Sequence, residues 1–154
     1  MKKITLLLFG CFFLLISCNQ SDLYHKIYTD FDTNRWLEKD TKTFEFTIDD
    51  TTKSYNINFI FSHVYDYQFK SVPIQIAITD PSGKDEKQSI DLQIKDDSGK
   101  QLADCSGDVC DLFYHLKGKT PLQKGNYKVV ISHSFEGPYL PNVLGVGLSV
   151  SEVK

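Results

Sequence analysis

The sequence predicts an all-β fold, a single antiparallel β-sandwich of seven or eight strands, jelly-roll or immunoglobulin-like in type. Three observations carry this. Apolar residues recur with a period of two along run after run, so one face of each strand can be buried and the other wetted. Clusters of Asp, Ser, Gly and Pro stand between the runs, where the chain has to turn. Eleven Phe and eight Tyr against one Met and one Trp suit a pleated surface, and no mature segment holds a helical stripe for more than two turns.

Leu23 to Thr29 reads as a weak first strand, and Asp30 to Lys42 as a polar connection holding the only Trp, Trp36. Phe44, Phe46 and Ile48 alternate with Thr43, Glu45 and Thr47, and Asp49-Asp50-Thr51-Thr52 follows as a turn. Tyr55, Ile57, Phe59 and Phe61 mark one face of the next strand. Val72, Ile74, Ile76 and Ile78 repeat the pattern up to the turn Asp80-Pro81-Ser82-Gly83. Ile90, Leu92 and Ile94 do so again before Asp96-Asp97-Ser98-Gly99. A shorter strand covers Leu112 to Leu116. Tyr127, Val129 and Ile131 follow Gly125, and Leu144, Val146, Leu148 and Val150 close the series.

The N-terminus is of another kind. Lys2 and Lys3 precede an apolar run from Ile4 to Ile16. About 20 residues are needed to cross a bilayer, so this run has the length of a secretory signal core. It ends Leu15-Ile16-Ser17-Cys18, which resembles the bacterial lipobox. The pattern has a chemical reason: a thiol can be alkylated with diacylglycerol, and the peptidase needs a small residue before the scissile bond. Residues 1–17 are thus read as a signal peptide, 18–22 as a lipidated cysteine with a short tether, and 23–154 as the sandwich domain. Each buried methylene contributes about 0.8 kcal/mol, and two or three long acyl chains on Cys18 give lasting attachment. Palmitate is the expected kind of acyl group. Asn19, rather than Asp, after the cysteine points to the outer membrane; the leaflet is not encoded.

Cys11 leaves with the signal. Cys105 and Cys110 enclose Ser-Gly-Asp-Val, and an oxidising envelope makes them a structural disulfide pair. Zinc would need two further ligands, and the spacing is not that of a CxxC oxidoreductase.

The formal charge of the chain is −3, and loss of the two signal lysines makes the mature chain more acidic. That argues against broad nucleic-acid binding, which needs clustered cations. The sequence has no Gly-x-Ser-x-Gly elbow and no phosphate loop, so no catalytic residue, cofactor or resident metal is assigned. Asp49-Asp50 and Asp96-Asp97 are turn carboxylates rather than a facing pair across a cleft. His63 and His133 lie late in strands and lack a third ligand for zinc; His25 and His115 complete the histidines. Asp104, Asp108 and Asp111 do not have EF-hand spacing for calcium.

Tyr65, Tyr67 and Phe69, with Tyr139 in Pro138-Tyr139-Leu140-Pro141, lie between strands. Loops carry function and tyrosine suits interfaces, so these four are the candidate partner surface. The competing reading makes them caps on the ends of the core.

The order of motifs resembles the gliding-motility lipoprotein H family (GldH-like) of Bacteroidetes. The resemblance rests on Tyr24, Trp36-Leu37-Glu38-Lys39-Asp40 through Phe44-Glu45-Phe46, Tyr55-Asn56-Ile57 and Tyr65-Asp66-Tyr67. It continues through Asp80-Pro81-Ser82-Gly83, Asp97-Ser98-Gly99-Lys100, Gly107-Asp108-Val109 and Gly125-Asn126-Tyr127, and ends in Gly145-Val146-Gly147-Leu148. Departures fall at Ser62-His63, at Leu102 to Ser106 and at Ser134-Phe135, where the family usually carries Arg-Asn, Trp-Gly-x-Gly and Met-Arg. The resemblance implies a non-catalytic envelope lipoprotein that works by protein contacts with the motility and linked secretion machinery. The alternative is a glycan-binding surface lipoprotein of a polysaccharide-uptake system, stacking sugars on Tyr65, Tyr67 and Tyr139.

Overall fold

The structure, a computed structural model, describes residues 22–153; the signal segment and Cys18 lie outside them. The described chain is all-β, in eleven strands. They are β1 (Asp22–Tyr28), β2 (Arg35–Leu37), β3 (Lys42–Ile48), β4 (Ser54–Val64), β5 (Ser71–Thr79), β6 (Asp85–Gln93), β7 (Asp104–Ser106), β8 (Val109–Pro121), β9 (Gly125–His133), β10 (Tyr139–Pro141) and β11 (Val143–Val153). Every pairing is antiparallel. One sheet runs β1-β11-β4-β8-β7, a second β3-β9-β5-β6, and a third is the pair β10-β2.

The expected seven or eight strands become eleven in three sheets. Strands β2, β7 and β10 are three residues each and carry too little periodicity to read. Strand β6 begins at Asp85, ahead of its expected start at Ile90, because its first half, Asp-Glu-Lys-Gln-Ser, is polar on both faces of an edge strand. Strand β1 begins at Asp22, one residue inside the expected tether.

The period-two residues form the core. Phe44, Phe46 and Ile48 of β3 and Ile74, Ile76 and Ile78 of β5 meet Ile57, Phe59 and Phe61 of β4 and Val146, Leu148 and Val150 of β11 in one apolar cluster. Trp36 is fully enclosed, with its ring edge-on to Phe31 and His133, and its indole N–H donates to the Asp40 carbonyl at 2.6 Å. That bond satisfies the one polar atom the ring takes into the core.

The two ends of the domain differ. At one end lie Asp22, Val153 and the tight turns at 49–53, 80–84 and 122–124. At the other end lie the long connections at 29–41, 65–70, 94–108 and 134–142, which contain β2, β7 and β10. The turns at Asp80 and Asp96 share the sequence Asp-x-Ser-Gly-Lys and the same bonding. In each, the Asp carboxylate accepts from the Ser N–H, the Ser hydroxyl and the Lys N–H at 2.6–3.0 Å. Gly83 and Gly99 occupy φ +83° and +85°, a region that favours glycine.

Candidate functional site

The long connections make the loop end the candidate site, because loops held by a rigid scaffold carry recognition. Its loops are braced against one another. The Tyr65 N–H donates to the Asp108 carbonyl at 2.9 Å, which joins the 65–70 loop to the tip of the β7–β8 hairpin. The Lys70 carbonyl accepts from Ile94 and Lys95 at 2.8 and 3.1 Å. The Asn142 side chain donates to Gln68 at 3.0 Å and its carbonyl accepts from Val64 at 3.2 Å. Among the described residues, four of the five non-glycine residues with positive φ, Thr33, Asn34, Asp66 and Asn142, are at this end. For Thr33, a β-branched residue at φ 50°, the conformation is costly, so packing elsewhere must hold it.

The four candidate surface aromatics separate. Tyr65 is 62% exposed, while Phe69 and Tyr139 are half-buried. Tyr67 is not surface at all. Its ring is fully buried against Phe61, His63 and Phe69, and its hydroxyl donates to the Pro141 carbonyl at 3.0 Å. Burial raises its phenol pKa far above the ordinary value. The chain turns at Tyr65 and Asp66, the latter at φ 54°, so Tyr65 is left outside while Tyr67 comes back beside Phe61 and His63 under the Pro141 carbonyl. Tyr139 has one ring face covered by the Arg35 guanidinium at 4.7 Å. A sugar-stacking platform of Tyr65, Tyr67 and Tyr139 therefore does not form.

Sequence reasoning missed other exposed apolar residues at this end, Leu37, Leu102 and Val109. Leu37 faces outward on β2 and, with Arg35, Tyr139, Asp30, Asp32 and Asp40, lines a pocket of about 230 Å³. Lys42 lies buried behind it, 2.8 Å from the Asp40 carboxylate and 3.6 Å from that of Asp30.

Cys105 and Cys110 pair directly across β7 and β8 with their sulfurs at bonding distance, 2.00 Å. Asp104 stands opposite Asp111, whose carboxylate accepts from the Ser62 hydroxyl, and Asp108 occupies the hairpin tip. Among the described residues no group of three His, Cys, Asp or Glu is placed to hold a metal.

Two of the four histidines, His63 and His133, are buried with the core. The fully buried His63 uses Nδ1 on the Val64 carbonyl at 2.8 Å and leaves Nε2 without a partner. His133 pairs Nε2 with the Trp36 carbonyl at 3.0 Å and accepts from the Phe135 N–H at Nδ1, 3.3 Å away. Burial pushes both imidazoles below their ordinary pKa. Both therefore rest neutral, His133 as the Nε2–H tautomer. His115 and His25 are exposed.

The turn carboxylates are placed as local caps. Asp50 accepts from the Thr52 N–H and hydroxyl, and these bonds hold its carboxyl below the usual range. The same bonding lowers Asp80 and Asp96. Asp97 pairs with Lys70 at 2.9 Å.

Residues 23–150 match the family described as GldH lipoprotein. No curated protein matches. Among solved structures, dimeric latent PorU from Porphyromonas gingivalis is similar at 11% identity and a TM-score of 0.35, over 85% of this chain and 13% of that one. So low a score supports no structural or functional comparison. Among the described residues no helix is long and apolar enough to cross a membrane.

Proposed function

Because the chain belongs to the GldH lipoprotein family, we propose that it is a non-catalytic outer-membrane lipoprotein of the gliding-motility and linked secretion machinery. It is held by lipid on Cys18 after removal of residues 1–17, and its loop end docks onto an envelope protein. The observation that carries this is the braced long loops at one end of the domain together with four of the six large exposed apolar side chains among the described residues, Leu37, Tyr65, Leu102 and Val109; Leu23 lies at the turn end and Phe113 midway along β8. Exposed apolar residues grouped on ordered loops are the usual signature of a protein contact.

The strand order supports one further reading of the fold. Counted in chain order, the eight longer strands run 1-8-3-6 and 2-7-4-5 through the two larger sheets. That is the winding of a jelly roll, two Greek keys wrapped round one core, and we read 23–154 as one such domain.

The test is crosslinking and affinity purification of the native lipoprotein from its own envelope. Motility or secretion components should co-purify with the parent chain and be lost when Leu37 and Tyr65 are changed to Glu in a domain that still folds. A deletion strain that secretes surface proteins and moves normally would overturn the reading.

A further inference from the structure

Resting on the lipid anchor at Cys18, we infer that the domain stands end-on to the bilayer, its turn end against the lipid headgroups and its loop end held away from them. Three residues separate Cys18 from Asp22. Four residue steps, fully extended, reach about 14 Å. Asp22 is already in β1, paired with Ser151 of β11, which pairs in turn with Asn56 of β4. These residues belong to the end that carries the turns at 49–53, 80–84 and 122–124.

The other end is out of reach. From Asn56, level with Asp22, β4 continues to Val64, eight residues on and about 26 Å away at about 3.3 Å per residue. Tyr65 and the Cys105–Cys110 hairpin lie at or beyond that level. The tether therefore cannot bring the loop end to the headgroups while the domain stands upright.

Direction argues against an inverted domain, with its loop end at the headgroups. Strand β1 begins at the turn end and runs towards the loop end. Reversing that direction takes a four-residue turn, which would consume the whole stretch from Cys18 to Ser21 and leave nothing to run back along β1. The fold thus separates two surfaces: short, self-bonded turns towards lipid, and long loops towards a protein partner.

The test uses the full lipoprotein in phospholipid vesicles that carry an energy acceptor on the headgroups. Single labelled cysteines replace Gln123 at the turn end, and Lys39 or Gln68 on two different loops of the loop end; all three are exposed. Transfer at 123 should exceed transfer at 39 and at 68 severalfold. Inserting a ten-residue Gly-Ser segment after Ser21 should reduce that contrast. Intact-mass spectrometry of the same samples reports on Cys18. An acylated Cys18 with equal transfer at all three positions, or with greater transfer at 39 or 68, overturns the posture alone. An unmodified Cys18 overturns the anchor and the posture together.

Discussion

Ile27 of β1 packs over Gly147 of β11, its Cγ1 only 2.7 Å from where a Cβ on that glycine would stand. The Lys26 carbonyl oxygen at 3.0 Å and the Ile60 Cβ at 3.3 Å close the same space. Ile27 also bears on Gly145, with Cγ2 at 3.0 Å, beside the Ser62 hydroxyl oxygen at 2.8 Å. The Gly145-Val146-Gly147 stretch is thereby explained: Val146 faces the core, and its two neighbours must be bare for the edge strand to lie down. Gly147→Ala should destabilise by about 1–3 kcal/mol, the usual range for overpacking, as read by denaturant unfolding. The two sites share one contact, so the cost should fall in an Ile27→Ala background. Equal costs in both backgrounds would mean that Ile27 is not the obstacle.

Joining Cys105 to Cys110 closes a loop with a sequence separation of 5. On the chain-entropy relation, so short a loop stabilises by about 2 kcal/mol. The hairpin tip also carries the Asp108 carbonyl that holds the Tyr65 N–H. Without reductant, neither cysteine should react with a thiol reagent. With Cys105 and Cys110 both changed to Ser, unfolding free energy should fall by up to that amount, and amide exchange at Tyr65 should speed up along with the hairpin.

His63 and His133 set a pH dependence. Both are buried and neutral, with folded pKa values lowered by burial from an unfolded value of about 6.5. Asp111 works against that lowering at His63 while Lys95 adds to it; Glu38 and Asp40 oppose it at His133. The unfolded chain then binds protons before the folded one does, so stability is full above about pH 6.5 and declines as pH falls below it. The geometry agrees, since a proton on His63 Nε2 would have no acceptor, and one on His133 Nδ1 would face the Phe135 N–H. Asp50, Asp80 and Asp96, with lowered folded values, add a second decline only below about pH 4, the unfolded carboxyl range. Unfolding free energy measured from pH 8 to 5 should fall, and His63→Leu should flatten part of that slope. A slope unchanged by His63→Leu would assign the dependence elsewhere.

Period-two runs made β3, β4, β5, β9 and β11 legible because each buries one face against the same core. Asp80 and Asp96 announced their turns through a local bonding pattern that needs nothing from the rest of the fold. The loop end was less legible. Tyr67 and Tyr65 look alike in sequence, and only the docking of Pro141 over one of them makes it core. Strand β2 is recognisable only once Leu140 of β10 stands opposite Trp36, more than a hundred residues away in the chain. Such contacts leave no periodic trace in three residues.

Tyr65 and Tyr67 offer the sharpest separation of stability from recognition. Tyr67→Ala removes a fully buried ring and leaves the Pro141 carbonyl without its donor, so it should cost about 3–5 kcal/mol, the range for truncating a large core ring. Tyr67→Phe keeps the ring and loses only the hydroxyl, for which about 1 kcal/mol is expected. Tyr65 is tied to the structure by its backbone N–H, and its side chain stands in solvent. Tyr65→Ala should therefore change unfolding free energy by no more than about 0.5 kcal/mol, while reducing co-purification of the envelope partner. Thermal unfolding of the three variants followed by the fluorescence of Trp36, beside Phe31 and His133 in the core, gives the stability arm. Crosslinking yield in the native envelope gives the other. If Tyr65→Ala leaves the yield unchanged, the loop-end contact does not run through this ring, and Leu37 and Leu102 become the residues to change next.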